Sequence, residues 1–164
     1  VGLWGRRALV SLQALDAEFV GSPRSPWPVL TQELFKQGVV TKEAVRAVEL
    51  LWAFGVLIGN TDMHSGNLSF MSESGMPYQA APAYDMSPMA FAPTQGGKLP
   101  NALAAAQLDA SVRNVHWHIA LSLASKYLNA LRHCSQLSDG FAPCLDALED
   151  HLTKASLQIA RLAQ

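Results

Sequence analysis

Apolar residues recur at helical intervals in three stretches of the chain. The clearest follows Thr41, a residue that can cap a helix, with Glu43 in the first turn. Ala44, Val45, Val48, Leu51, Trp52, Gly55 and Ile58 then come in three- and four-residue steps, which predicts one long amphipathic helix. A second stripe, Val115, Ile119, Leu123, Tyr127 and Leu131, predicts a helix over residues 112–133 with those side chains inward. A third helix is expected from about Pro143 to Leu162, with Pro143 in its first turn and Leu145, Leu148, Leu152, Leu157 and Ile159 inward. Thr31 can cap a shorter one that reaches about Gln37 and stops at Gly38.

Between these helices the pattern changes. Residues 1–12 read as strand, glycine turn, strand. Leu68-Ser69-Phe70 and Tyr78-Gln79-Ala80, separated by Glu73-Ser74-Gly75-Met76-Pro77, read as a second small hairpin. In residues 21–28, three prolines within six positions exclude helix and central strand. Residues 86–101 are rich in Met, Pro and Gly, with Gly96-Gly97-Lys98 at the centre, and predict a long irregular segment. The expected fold is mainly α (α+β): a helical bundle, treated as one unit over 1–164, with small β-hairpins that carry a polar site.

Composition narrows the partners. A 49% apolar fraction with only 15% charged residues allows a sizeable core. A formal net charge of -1 gives no strong pull on nucleic acid or an anionic membrane. The longest apolar candidate, Ala44 to Ile58, is interrupted by Arg46 and Glu49 and is too short for a membrane span. No export signal is visible, so Cys134 and Cys144 are expected as reduced thiols in a cytoplasmic protein. The chain starts at Val1, inside the first hairpin, and is expected to be the C-terminal part of a longer protein.

The candidate chemistry lies where the first long helix ends, in Gly59-Asn60-Thr61-Asp62-Met63-His64-Ser65-Gly66-Asn67. Phosphoryl transfer from ATP needs a carboxylate to orient the attacking hydroxyl, and an amide and a second carboxylate on the metal. Asp62 precedes Asn67 by five residues, and the lone acid Asp85 follows the second hairpin. Gly66 is expected to allow an unusual backbone angle that directs both side chains to one spot. The spacing alone is weak. Seven Asp and five Asn in 164 residues produce such a pair by chance about 0.2 times. Asp109 and Asn114 form a second instance, but they run into a helix start, where Asp109 or Ser111 would serve as a cap.

Residues 57–70 resemble the catalytic loop of HipA-type serine/threonine kinases, the toxin halves of bacterial HipA/HipB pairs. The family pattern, roughly N-T-D-x-H-x-x-N, is met by Asn60, Thr61, Asp62, His64 and Asn67. Ala81-Pro82-Ala83-Tyr84-Asp85-Met86 is similar to the family's metal-binding segment. The wording of Asp62-Met63-His64 and Asp85-Met86-Ser87-Pro88-Met89 is similar to the YjjJ-like branch. The resemblance spans the whole chain. It implies a protein-kinase-like C-terminal lobe, ATP and Mg²⁺ as cofactors, Asp62 as catalytic base, and Asn67 and Asp85 as Mg²⁺ ligands. His64 would touch phosphate or brace the loop. Implied partners are a protein substrate and a HipB-like DNA-binding antitoxin, with no membrane and no direct nucleic-acid contact by this chain.

No glycine-rich phosphate loop or strand-borne lysine precedes residue 59. Those groups would lie in an N-terminal lobe, and this chain alone is expected to be inactive. Two rival readings keep the same residues: a kinase for a small-molecule hydroxyl, and a non-catalytic kinase-like binding module. Other candidates read more simply as structure. His116 and His118 face different ways on a helix, Lys98 is a surface lysine, and Arg6 and Arg7 are sheet-edge residues.

Overall fold

The computed structural model describes residues 8–162. Strand β1 (Ala8–Ser11) leads into α1 (Leu12–Phe19), then α2 (Trp27–Lys36) and α3 (Lys42–Ile58). Strands β2 (Ser69–Ser72) and β3 (Gln79–Ala80) follow, and α4 (Asn114–Arg132) and α5 (Ala142–Ile159) complete the order. The described residues form an α+β arrangement with one small antiparallel sheet, ordered β1-β2-β3. The chain divides into two compact units, Val1–Trp52 with Met63–Asp85, and Ala53–Asp62 with Met86–Gln164.

The first unit holds the sheet. The expected hairpin of residues 68–80 is present, with Phe70 opposite Ala80 and Met71 opposite Gln79. The other expected hairpin is only half within the described residues. Its second strand, β1, pairs with β2 in the register Val10 to Phe70 and Ser11 to Ser69. The rest of that hairpin, residues 1–7, lies outside the described residues, and so do Arg6 and Arg7, expected at a sheet edge. Ser11 then caps α1, accepting the N–H of Ala14 at 3.2 Å. Helix α1 buries Leu12 and Leu15, and the buried Asp16 carboxylate closes the following turn by accepting the N–H of Ser22 at 2.8 Å.

Helix α2 starts five residues earlier than the sequence suggests. Pro26 takes the cap position and Pro28 falls in the first turn, where no backbone donor is needed. Thr31 is therefore inside the helix, and its hydroxyl donates to the Trp27 carbonyl at 2.7 Å. The helix stops at Gly38, which has φ +72°. Thr41 caps α3 as expected, accepting the Ala44 N–H at 3.1 Å. Thr41 N–H and Tyr78 C=O are bonded at 2.9 Å, as are Tyr78 N–H and Val39 C=O at 2.8 Å, which ties the hairpin to the α2–α3 connection.

In the second unit α4 packs against α5. Pairing Leu145, Leu148, Leu152 and Ile159 inward is correct, but Leu157 is 60% exposed. The α4 stripe is displaced as well. Val115 is 54% exposed, and Ile119 and Leu123 also face out. The buried face is His116, Trp117, Ala120, Ala124 and Leu128. A strict four-residue ladder drifts by about 40° per step on a helix of 3.6 residues per turn. The sequence line therefore winds off the buried face, and its two alanines, Ala120 and Ala124, carry little apolar weight in such a reading. Among the described residues no helix is long and apolar enough to cross a membrane.

Candidate functional site

The polar loop begins where α3 is forced to stop. Gly59 has φ +74°, its N–H meets Val56 C=O at 3.2 Å, and Asn60 N–H meets Gly55 C=O at 2.8 Å. This pair of bonds is a Schellman ending. A Cβ at Gly59 would come within 3.2 Å of Leu103, so the position needs glycine for space as well as for its angle. The Gly59 carbonyl accepts the N–H of Ala90 at 2.9 Å. Asn60 is buried. Its side-chain oxygen accepts the Asp62 N–H at 2.9 Å, and its amide donates to the sulfur of Met86 at 3.8 Å. The backbone of Asp62 is thereby fixed, while the residue itself is exposed. All of these groups belong to the second unit.

His64, Asn67 and Asp85 belong to the first unit. Residues Ser65–Asn67 form a single 3₁₀ turn, capped by His64. The His64 Nδ1 accepts the Gly66 N–H at 3.0 Å, and the His64 carbonyl accepts the Asn67 N–H at 3.0 Å. Gly66 is not at the unusual backbone angle expected for it, since its φ is not among the positive ones. It is glycine for another reason: a Cβ there would lie 2.8 Å from Cε1 and 2.9 Å from Nδ1 of the His64 ring. The loop is anchored below by the Leu68 carbonyl, which accepts the Leu12 N–H at 2.8 Å.

The unusual angle belongs to Asp85. Its φ of +51° is the one positive value for a non-glycine among the described residues, a conformation that side chains disfavour. The residue before it explains part of its placement. The Tyr84 hydroxyl donates to the Gly66 carbonyl at 2.8 Å and shares a second hydrogen bond of 2.8 Å with Ser69 Oγ. The segment that carries Asp85 is thus tied to the turn that carries Asn67.

Asn60 and Tyr84 are the residues whose roles the sequence did not disclose. An asparagine two positions before an aspartate is a common Asx-turn signal and could have flagged the first. Tyr84 bonds across 18 residues, and no local pattern announces that. Asp109 accepts the N–H and the hydroxyl of Ser111, at 2.8 and 2.6 Å, in a local turn. Helix α4 starts only at Asn114, with Arg113 at the cap position, so neither Asp109 nor Ser111 caps it. His116 is buried and His118 exposed, as expected for residues two apart on a helix. Both cysteines are free thiols.

The donor set around Asn67 and Asp85 suits a hard cation. Mg²⁺ takes oxygen ligands, keeps several waters, and draws one or two groups from the protein when phosphates supply the rest. An amide oxygen and a carboxylate match that demand. Among the described residues no cluster of three or more His, Cys, Asp or Glu could hold a metal by itself.

Residues 30–152 match the model of the HipA-like C-terminal domain, and the chain belongs to that family. It is also similar to Toxin YjjJ of Escherichia coli (strain K12), with 36% identity over 159 residues. That alignment covers 96% of this chain and 35% of the relative, so the chain spans about a third of the relative's length. The branch suggested by the wording around Asp62 and Asp85 is the branch matched.

Proposed function

We propose that this chain is the C-terminal catalytic lobe of a protein-kinase-like enzyme of the HipA class, which transfers the γ-phosphoryl group of ATP to a Ser or Thr hydroxyl of a protein. The observation that carries the reading is the bond from Tyr84 to the Gly66 carbonyl, because it ties the carriers of Asn67 and Asp85 together. Asp62, exposed on a backbone pinned by Asn60, accepts the proton of the incoming hydroxyl. Asn67 and Asp85 hold Mg²⁺, which when bound neutralises charge on the phosphates. His64 uses Nδ1 as an acceptor for Gly66. A neutral ring then carries its proton on Nε2, which is a donor suited to a phosphate oxygen. The partners in this reading are the substrate protein and a HipB-like DNA-binding antitoxin in the cytoplasm.

The test is transfer of labelled γ-phosphate to lysate proteins by the full-length protein, beside Asp62→Asn and Asp85→Asn. Loss of about a hundredfold or more in both variants is expected for a base and a metal ligand. Equal labelling by the wild type and both variants would overturn the reading.

A further inference from the structure

The peptide unit between Gly66 and Asn67 is held at both ends. Its carbonyl accepts from the Tyr84 hydroxyl at 2.8 Å, and its N–H donates to the His64 carbonyl at 3.0 Å. That peptide sets the direction in which the Asn67 side chain leaves the turn. The same hydroxyl is held by Ser69, a buried residue of β2, so its donor and one of its acceptor positions are both used. A phenol fixed in this way cannot turn, and the backbone that follows it is Asp85 at φ +51°. A left-handed aspartate is disfavoured and persists only where its surroundings impose it.

We infer that Tyr84 is a positioning residue, which sets Asn67 and Asp85 relative to one another as a divalent-cation pair. The inference rests on the metal-binding part of the proposed function. Tyr84 touches neither phosphate nor metal in this account. It acts by linking the turn that carries one ligand to the segment that carries the other, with β2 as the rigid support.

The experiment measures Mn²⁺ binding by the full-length protein, as loss of the free-ion EPR signal. Asn67→Ala and Asp85→Ala serve as variants that lose the ion. Tyr84→Phe keeps the ring and removes only the hydroxyl. Its Mn²⁺ midpoint is expected to rise about tenfold, as for other partners that orient metal ligands, with the melting temperature unchanged. Ser69→Ala, which removes the second hold on the phenol, is expected to give a smaller rise and carries the test should Tyr84→Phe fail to fold. In phosphoryl transfer, high Mg²⁺ is expected to restore the Tyr84→Phe rate, which a general structural defect would not allow. A Mn²⁺ midpoint equal to wild type in both variants overturns the inference even if the protein is an active kinase. Absence of phosphoryl transfer with a shifted midpoint overturns the kinase reading and leaves the positioning role standing. A wild type from which Asn67→Ala removes no Mn²⁺ overturns both.

Discussion

The side-chain oxygen of Asn60 accepts the backbone N–H of Asp62 at 2.9 Å. This short bond turns the end of α3 into a support for an exposed carboxylate. The Schellman ending directs the chain out of the helix, and Asn60, buried immediately after it, fixes the next peptide. Asn60→Ala removes the acceptor and the amide contact to Met86 together. The expected loss is about 1–2 kcal/mol of stability, read as a lower urea midpoint. Phosphoryl transfer in the full-length protein is expected to fall further than that loss accounts for. An unchanged midpoint would remove Asn60 from this role.

The contact between Gly66 and His64 makes a separate claim about the turn. Gly66→Ala brings a methyl to within 3 Å of the His64 ring, at a backbone angle that alanine tolerates. The cost is therefore steric and has one source. Gly66→Ala is expected to destabilise by about 1–2 kcal/mol, while adding His64→Ala recovers most of it. A double-mutant cycle on melting curves reads this coupling. Simple additivity of the two substitutions would show that the ring is not what demands glycine.

How much of this was legible in the sequence differs by element. Helix α3, its Thr41 cap, the β2–β3 hairpin and the placement of Asp62, Asn67 and Asp85 outside the α-helices all follow from spacing and turn residues, which are local signals. Helix α1 is not among the expected elements: the hairpin expected over residues 1–12 ends at Leu12 and leaves residues 13–20 unassigned, whereas Leu12 opens the helix and β1 belongs to a sheet completed sixty residues later. The α4 face could not be read by counting large apolar residues, because two of its five buried positions are the alanines Ala120 and Ala124. At the site, the acids and the amide stood out through their loop setting and the family resemblance, since the spacing of Asp62 and Asn67 alone recurs at Asp109 and Asn114. The groups that hold them, Asn60 and Tyr84, act through backbone contacts that any sequence of similar type could contain. Gly66 was legible as a required glycine, but the requirement is set by a neighbouring ring and not by its own angle.

The two thiols are expected to differ in reactivity. Cys144 is buried on α5, its thiol donates to the Pro100 carbonyl at 3.2 Å, and burial pushes its pKa up. Cys134 lies just beyond α4 and is partly exposed. Thiolate is the reactive form, and Cys144 is deprived of both thiolate and access. Alkylation of the native protein with iodoacetamide, mapped by mass spectrometry, is expected to label Cys134 at least about ten times faster. Comparable rates in the native state, becoming no closer on unfolding, would contradict the buried position of Cys144.

His151 links pH to stability in the second unit. It is buried on α5 beside the backbone of Val56, in the last turns of α3, and of Ala104, and its Nε2 makes no hydrogen bond. Burial pushes its pKa below the ordinary value of 6.5. The backbone contacts to Val56 and Ala104 and the charge of Asp150 oppose that shift, and Lys154 adds to it. The folded state therefore resists a proton that the unfolded chain accepts. Above the unfolded pKa both states are neutral at this ring, and its contribution is fully present. As pH falls through about 6.5 toward the lower folded value, the unfolded chain binds the proton first and stability is lost. Urea midpoints at pH 7.5 and 5.5 measure the slope. His151→Gln cannot titrate, and it is expected to lower the midpoint at pH 7.5 through imperfect packing but to show a smaller drop between the two pH values. Other titrating groups contribute alike to both proteins, so the difference in slope belongs to His151. An identical drop in the wild type and the variant would mean that the ring is not held neutral by its burial.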